Sequence, residues 1–240
     1  MLVKIIMQRY FSKGNFKLED SDLHHIKNVM RMNIGDNIEV VDNNNLYICN
    51  IDSIDPFSIS AIRKEEVIED NLYDLTIAVS LVNEQKMDLI LQKLTELGVK
   101  KIIPLSTERS IVKLNEDRFI KKKKRWESIC KEASEQSKRI NIPEITSIMT
   151  FKDLVKEEYD YKLVASTKEK DKLLNSYLQN IKSCAKIIIV IGPEGGLSDK
   201  EEDFLVDNNY NRVSFGNLVF RVETACIYCA SIFNFYSSMR

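Results

Sequence analysis

The 240-residue sequence is poor in the residues that mark several specialised classes of protein. It has four prolines, seven glycines, one tryptophan and two histidines, and its formal net charge is −1. No apolar run reaches the roughly 20 residues that a membrane-spanning helix needs. Charges also interrupt the apolar N-terminal stretch, which argues against a signal peptide. Hydrophobic residues make up 44% of the chain, enough for a packed core. We therefore expect a cytoplasmic protein without a membrane partner.

The cysteines and histidines do not form a pattern typical of a metal site. The five cysteines are an odd number, which argues against a disulfide framework. Cys226 and Cys229 form a single CxxC in an apolar helical stretch, far in sequence from His24 and His25. A structural zinc normally needs a fuller set of ligands. We expect no metal, two buried core cysteines, and histidines that are structural rather than catalytic.

The small net charge hides a basic block. Residues 100–139 carry 13 basic and 6 acidic residues, among them Arg109, the run 121–125 and Arg139. Such a block is typical either of a solvated helix face or of a surface that binds a phosphate backbone. Trp126 and the arginines near it favour RNA as the partner.

The pattern of apolar residues divides the chain into two parts. Residues 1–70 contain short alternating runs separated by turn residues, which predict a small β-rich domain. The strands are predicted at 37–41, 46–51 and 58–62, one helix at 20–32, and a linker at 65–70.

From residue 75 onwards, strands and helices alternate, which predicts a parallel sheet covered by helices. Strands are predicted at 75–82, 101–105, 161–165, 187–191 and 212–215. Helices are predicted at 86–97, 118–138, 151–157, 170–180, 199–208 and 222–236, with Gly98 as a C-terminal cap.

A glycine turn follows the most apolar of these strands, in the stretch IIIVIGPEGGLSDKEE at 187–202. The apolar run predicts a strand buried on both faces, and Ser198 with Glu201 forms a capping box at the next helix. Neither a Walker lysine nor GxGxxG spacing is present. The acidic residues at the helix start would repel a phosphate. The turn therefore favours a neutral or cationic ligand, and a tight turn without a ligand remains an alternative.

A second glycine turn follows the next strand, in RVSFGNLVFRVETA at 212–225. Gly216 ends the strand, and Arg221 and Glu223 lie at the head of an apolar helix. Alone, these two charges are more typical of a surface ion pair than of a binding site. Two glycine turns at the carboxyl ends of strands can instead form the walls of one pocket.

Together the two stretches resemble the paired signature of the ribosomal RNA uracil-N3 methyltransferases of the SPOUT superfamily. Shorter matches extend over nearly the whole chain. They are RYF (9–11), HIKNVMR (25–31), GD (35–36), KLTELG (93–98), TERS (107–110), RW (125–126) and EQSKR (135–139). The chain departs from the family pattern at Asn217-Leu218, Phe220 and Val222, and so lacks a basic residue at position 218.

This resemblance implies a fold, an activity and partners. The fold would be a PUA-like β-barrel domain over 1–70 and, over 71–240, an α/β domain with a SPOUT-type parallel sheet and a C-terminal trefoil knot. The protein would be a homodimer that binds S-adenosyl-L-methionine in the knot. It would methylate N3 of one uridine in small-subunit ribosomal RNA, either as free RNA or in the assembled 30S subunit.

The resemblance also implies roles for individual residues. Arg221 would hold the base and stabilise charge on its carbonyl oxygens, and Glu223 would orient Arg221 or assist proton removal. The cofactor would contact Ala165, Ser166, Thr167, Ile191, Gly192, Pro193, Glu194, Gly195, Gly196, Phe215, Gly216, Leu218, Val219, Phe220, Thr224 and Ala225. The RNA would contact Arg9, Arg31, Lys93, Arg109, Arg125 and Arg139.

Three other functions remain as alternatives. An RNA-binding protein without catalysis explains the basic block but not the two glycine turns. A related methyltransferase could act on another base or on the ribose 2′-hydroxyl. A nucleotide-phosphate enzyme fits least well, because the Walker lysine is absent and the helix start is acidic.

Overall fold

A computed structural model of the chain describes residues 7–67, 73–114 and 116–239. These residues form two compact units, one of residues 7–67 with Lys131–Asn141 and one of the remaining residues. The predicted domain boundary at 70 and half of the predicted linker (68–70) lie outside the described residues, so a division there stays a prediction. The sequence did not indicate that residues 131–141 group with the first unit.

The first unit contains a four-stranded sheet in the order β1-β2-β3-β4. Its strands are β1 (Arg9–Phe11), β2 (Asn37–Asp42), β3 (Asn45–Ile54) and β4 (Phe57–Glu65). β1 runs parallel to β2, and the other pairs are antiparallel. The three predicted strands are confirmed, with longer bounds. β1 was not predicted, because three residues are too few to show an alternating pattern.

The first helix of the described chain belongs to the first unit. α1 (Asp20–His24) continues as a π-helical turn, His25–Val29. The predicted helix to residue 32 is too long, because Arg31 adopts a positive φ of 51° and cannot continue a right-handed helix. The His25 Nδ1 atom lies 3.0 Å from the Tyr10 hydroxyl oxygen, and Tyr10 belongs to the core of this unit. This position fits the expectation of a structural histidine.

The second unit is an α/β fold around a six-stranded parallel sheet, as predicted. The strands are β5 (Tyr73–Ser80), β6 (Lys101–Leu105), β7 (Glu144–Ile145), β8 (Tyr161–Ala165), β9 (Ala185–Ile191) and β10 (Asn211–Val213). Their order in the sheet is β10-β8-β9-β5-β6-β7. The helices after α1 are α2 (Glu84–Glu96), α3 (Glu116–Gln136), α4 (Phe151–Leu154), α5 (Leu174–Leu178), α6 (Asp199–Asp207) and α7 (Val222–Ser238).

Strand β9 lies at the centre of two hydrophobic cores. Ile187, Ile189 and Ile191 pack on one face of the sheet, with residues of α2 and α7. Ile188 and Val190 pack on the opposite face, with residues of α4 and α6. All five are buried, which confirms that this apolar run is a strand covered on both sides.

Two predicted helices are shorter than expected. α5 begins at Leu174 rather than at residue 170, because the preceding backbone pairs with the chain after β10. Ser214 N–H donates to Lys172 O at 2.8 Å, and Leu174 N–H donates to Ser214 O at 3.0 Å. α4 ends at Leu154 rather than at 157.

Cys226 and Cys229 are fully buried on α7, as the sequence predicted for core residues. Among the described residues, no cluster of histidine, cysteine and acidic side chains has the arrangement of a metal site. Over the same residues, no helix is both long and apolar enough to cross a bilayer. The observed helix C-terminus before Gly98, whose φ is +85°, confirms the predicted cap.

The first unit holds a partly buried acidic side chain, Glu135, on the last turn of α3. Burial raises the pKa of Glu135 to about 7. The Lys131 ammonium, 3.1 Å from Glu135 Oε1, opposes this shift. Because the folded pKa lies above the ordinary value of 4.5, folding takes up a proton at intermediate pH. The contribution of Glu135 to stability is therefore greatest below pH 4.5 and is lost as the pH rises through about 7.

We predict that Glu135→Gln removes this loss of stability at higher pH, because glutamine does not titrate. The melting temperature of the variant relative to the wild type should rise between pH 5 and pH 8, on the order of a few degrees. Thermal unfolding at both pH values measures it. Glu127→Gln, at an exposed position on the same helix, is the control and should track the wild type. An equal offset of the Glu135→Gln variant at both pH values would contradict the assignment.

Candidate functional site

A cavity of about 380 Å³ opens where three strands of the second unit end. β10, β8 and β9 are neighbours in the sheet and run parallel, so their carboxyl ends meet at one edge. The segments that follow each strand line the cavity, at 165–170, 191–197 and 213–220. Its volume lies in the range typical of small-molecule sites, roughly 300–1,000 Å³.

The first wall is the glycine turn after β9. The backbone at Gly192 approaches Leu197 so closely that a Cβ atom at Gly192 would lie 3.1 Å from both Leu197 Cγ and Leu197 N. Gly196 has a φ of +66°, and its N–H donates to Pro193 O at 2.8 Å. Glycine at Gly192 and Gly196 therefore allows the tight fold of the turn.

Helix α6 begins directly after this turn and is already capped. The Ser198 N–H donates to Glu201 Oε2 at 2.8 Å, and the Glu201 N–H donates to Ser198 Oγ at 3.4 Å, which confirms the predicted capping box. Asp199 and Glu202 add two further carboxylates in the first turn. Because its N–H groups are partly used and its charge is negative, this helix start is a poor site for a phosphate.

The segment after β8 joins the same acidic turn. Ser166 Oγ donates to Glu202 Oε1 at 3.0 Å, and Arg212 Nε donates to Glu202 Oε2 at 3.1 Å. The Lys168 ammonium bonds to Asp199, and this hydrogen bond lowers the pKa of Asp199. Glu202 is buried and lines the cavity. Sequence reasoning missed it as a lining residue, because only the fold brings α6 beside β8.

The third wall is the segment 215–220 after β10. Gly216 adopts a φ of +106°. Leu218 and Val219 are 74% and 79% exposed, so this wall presents apolar side chains to solvent. The ring of Phe220 packs against that of Tyr228 on α7, with the ring centroids 4.9 Å apart.

Fourteen of the sixteen residues predicted to contact a cofactor line the cavity. Glu194 does not line the cavity, because its carboxylate bonds instead to the Lys86 ammonium at 2.7 Å. Thr224 is exposed on the first turn of α7 and also lies outside the lining.

Arg221 and Glu223 lie at the start of α7 and do not line the cavity. Arg221 is exposed, and its carbonyl accepts the Ala225 N–H at 2.8 Å. The side chain of Glu223 is 14% exposed, and its Oε2 has no hydrogen-bond partner among the described residues. These residues include no ion pair between Arg221 and Glu223, so the alternative of a surface pair is not supported.

Lys86, on the first turn of α2, connects the two glycine segments. Its Nζ bonds to Glu194 Oε1 at 2.7 Å and lies 3.9 Å from Glu223 Oε2. The hydrogen bond to Glu194 raises the pKa of Lys86, and the same bond lowers that of Glu194. This position could not be predicted from the sequence, because both partners of Lys86 are more than 100 residues away along the chain.

The surroundings of Arg9 do not favour the RNA contact predicted for it. Arg9 is only 6% exposed, and its Nε donates to Glu39 Oε2 at 2.7 Å. The guanidinium also donates to the carbonyl oxygens of Lys138 and Arg139. The Nε and Nη1 atoms of Arg9 are therefore bonded inside the first unit. This arrangement fits a structural role better than an RNA contact or an ordinary surface charge.

The remaining predicted RNA contacts differ in their surroundings. Arg31 is exposed. Lys93 pairs with Glu96 at 2.8 Å, Arg125 pairs with Glu84 and Asp88, and Arg139 donates to the Asn141 side chain at 2.6 Å. Arg109 lies in the cavity wall, where Nη1 donates to Gly195 O at 2.9 Å.

Comparisons with known proteins connect this geometry to a family. An RNA methyltransferase domain model matches residues 69–234, and an RNA methyltransferase PUA domain model matches 18–62. The ribosomal RNA small subunit methyltransferase E of Bacillus subtilis is 31% identical, over 97% of this chain and 98% of that protein. The Rickettsia conorii protein of the same name is 30% identical, over 89% and 87%. The Neisseria gonorrhoeae methyltransferase E, solved bound to S-adenosyl methionine, has a TM-score of 0.85 and 25% identity, over 96% of this chain and 98% of that one.

We predict that alanine destabilises the fold at Gly192 but not at Gly195. Gly192→Ala should lower the free energy of unfolding by about 1–3 kcal/mol, because the new Cβ, 3.1 Å from Leu197 Cγ and N, forces Leu197 to shift. Gly195→Ala is the matched control, since its Cβ would lie at an ordinary 3.6 Å from Arg109 Cδ. Urea unfolding compares the two. Equal effects would show that close packing at Gly192 does not hold the turn.

Proposed function

The chain belongs to the RNA methyltransferase family, and from that premise we propose that it transfers a methyl group from S-adenosylmethionine to N3 of a uridine in small-subunit ribosomal RNA. The observation that carries the proposal is the cavity formed by the segments after β8, β9 and β10. Most of the residues expected to contact the cofactor line it.

The charges of the cavity suit this cofactor. S-adenosylmethionine carries a sulfonium cation, and the cavity lies beside the acidic start of α6, with Glu202 in its wall. The glycine turns leave backbone groups accessible for hydrogen bonds to an adenine edge. A nucleoside with a positive centre therefore fits at the start of α6, where a polyphosphate would be repelled.

The methyl transfer is an in-line displacement. The bond from sulfur to the methyl carbon breaks, a bond from that carbon to uracil N3 forms, and the N3 proton leaves to a base. The cofactor supplies the reactive carbon, and the protein supplies orientation and charge. As N3 loses its proton, the neighbouring carbonyl oxygens become more negative.

Arg221 and Glu223 carry the protein's part of this step in the proposal. The exposed guanidinium of Arg221, near the cavity segment that ends at Phe220, can stabilise the negative carbonyl oxygens of the base. Glu223 Oε2 is buried without a hydrogen bond, so it is free either to orient Arg221 or to accept the N3 proton. The Lys86 ammonium lies 3.9 Å from this carboxylate.

The RNA surface and the assembly are proposed in the same way. We assign Arg31, Lys93, Arg125 and Arg139 to contacts with the RNA backbone, supported by the net positive charge of residues 100–139 and the match of 18–62 to a PUA domain. The domains are proposed as 1–70 and 71–240, and the site of action as the cytoplasm.

Three further features of the family belong to the proposal. The sheet of the first unit supports a PUA-like β-barrel. The pairing of the chain before α5 with the chain after β10 supports a trefoil knot. The exposed Leu218, Val219 and Phe235 support a homodimer, since exposed apolar side chains favour association.

We predict that Arg221→Ala lowers kcat for methyl transfer by roughly 10²–10³-fold while cofactor affinity is kept, because Arg221 does not line the cavity. Methyl incorporation from S-adenosylmethionine into small-subunit RNA, free and in 30S particles, measures kcat. Calorimetry measures the cofactor affinity. Lys152→Ala, at an exposed position of α4, should behave as the wild type.

Mapping of the product by nuclease digestion and mass spectrometry tests the substrate atom. The proposal predicts N3-methyluridine. A methyl group on another base or on a ribose 2′-oxygen would favour a related methyltransferase. Wild-type protein that binds both cofactor and RNA but transfers no methyl group to either form of the RNA would contradict the proposed activity.

A further inference from the structure

Arg109 is held against the glycine turn by contacts of its side chain. Its Nη1 donates to Gly195 O at 2.9 Å and to Leu197 O at 3.3 Å. A Cβ atom at Gly195 would lie 3.6 Å from Arg109 Cδ, so the aliphatic part of the arginine lies along the turn. The residue lines the cavity, although the basic block around it in sequence predicted an RNA contact.

The backbone around Arg109 is fixed as well. The Glu108 N–H donates to Glu201 Oε1 at 2.7 Å, in the capping box of α6. The hydroxyl groups of Thr107 and Ser110 lie 2.8 Å apart, and both residues are buried. Arg109 is itself exposed, and these contacts fix its backbone at the edge of the cavity.

To bind S-adenosylmethionine, the cavity needs a positively charged hydrogen-bond donor for the cofactor's carboxylate. S-adenosylmethionine carries an α-carboxylate beside its ammonium and sulfonium groups, and a buried carboxylate requires a charged hydrogen-bond donor. The usual anion site, the N-terminus of α6, is capped by Ser198 and Glu201 and is acidic. The carboxylate must therefore bind elsewhere in the cavity.

Three basic residues line the cavity, Arg109, Lys168 and Lys170. The Lys168 ammonium is already bonded to Asp199 and lies 3.9 Å from Glu202. Arg109 uses Nη1 for the two carbonyls, and its Nε and Nη2 have no hydrogen-bond partner among the described residues. A guanidinium presents these remaining N–H groups in the planar arrangement that a carboxylate accepts.

We infer that Arg109 is a cofactor-binding residue that holds the α-carboxylate of S-adenosylmethionine. The inference rests on the proposed function. The two carbonyl bonds fix the guanidinium on the turn, and the free N–H groups bind the carboxylate. The arginine thereby places the methionine part of the cofactor against the wall formed by 195–197.

The test compares two ligands that differ in the carboxylate. S-adenosylmethionine has the whole aminocarboxypropyl group, and 5′-methylthioadenosine lacks it. Arg109→Gln should weaken S-adenosylmethionine by roughly tenfold or more, because a charged hydrogen bond is lost. The affinity for 5′-methylthioadenosine should stay within about twofold. Since loss of a cation cannot weaken a contact to the cofactor's ammonium group, a selective loss reports the carboxylate.

Further variants serve as controls, with affinities from calorimetry. Arg109→Lys keeps the charge without the planar donor pair and should lose less affinity for S-adenosylmethionine than Arg109→Gln. Lys152→Gln, at an exposed position outside the lining, should leave both affinities unchanged. Lys170→Gln, which removes another cation of the lining, is measured alongside as the competing site. Binding of 5′-methylthioadenosine by each variant also shows that its cavity is folded.

Several results would overturn the inference. If Arg109→Gln lowered the affinity for both ligands equally, Arg109 would only stabilise the turn. If it lowered neither affinity, Arg109 would not bind the cofactor, and the RNA contact would remain as its predicted role. A selective loss in Lys170→Gln but not in Arg109→Gln would move the carboxylate to Lys170. Wild-type protein that binds neither ligand would overturn the proposed function as well, which separates that failure from the others.

Discussion

The close approach of the backbone at Gly192 to Leu197 is the constraint on which the cavity depends. It turns the chain back at the end of β9, so that α6 begins beside the carboxyl ends of β8 and β10. Distant segments also hold the turn in place. Arg109 bonds to its carbonyls, Lys86 to Glu194, and the Glu108 backbone to Glu201. A cavity built this way is fixed by the fold of the whole second unit.

The same constraint selects the class of ligand. Because α6 supplies its own cap and several carboxylates, the helix start that usually holds a phosphate is closed to one. The cavity instead suits an adenosine with a cationic centre. Lys86 joins the turn to the start of α7, since its ammonium lies between Glu194 of the turn and Glu223 of α7. In the proposed function, these charges connect the turn beside the cofactor with the residues that act on the base.

Local sequence patterns predicted the parts of this structure that depend on neighbouring residues. The apolar run of β9, the capping box at Ser198 and the cap at Gly98 follow from side-chain periodicity and backbone propensities, and all three are found. Features set by distant contacts were missed or misjudged. Lys172 pairs with Ser214 and shortens α5, Arg9 is buried by Glu39, and Glu202 enters the cavity wall through Ser166 and Arg212. Each depends on residues about ten to forty positions away or more, which no local pattern reveals.

Calorimetric titration of the purified protein with S-adenosylmethionine and, separately, with ATP tests the central claim most directly. The two ligands share adenosine and differ in the charge that follows the ribose. The account predicts that S-adenosylmethionine binds at one site per chain and that ATP does not bind, because the capped acidic start of α6 accepts a cation and repels a polyphosphate. Binding of ATP at the same site, or failure of S-adenosylmethionine to bind, would contradict it.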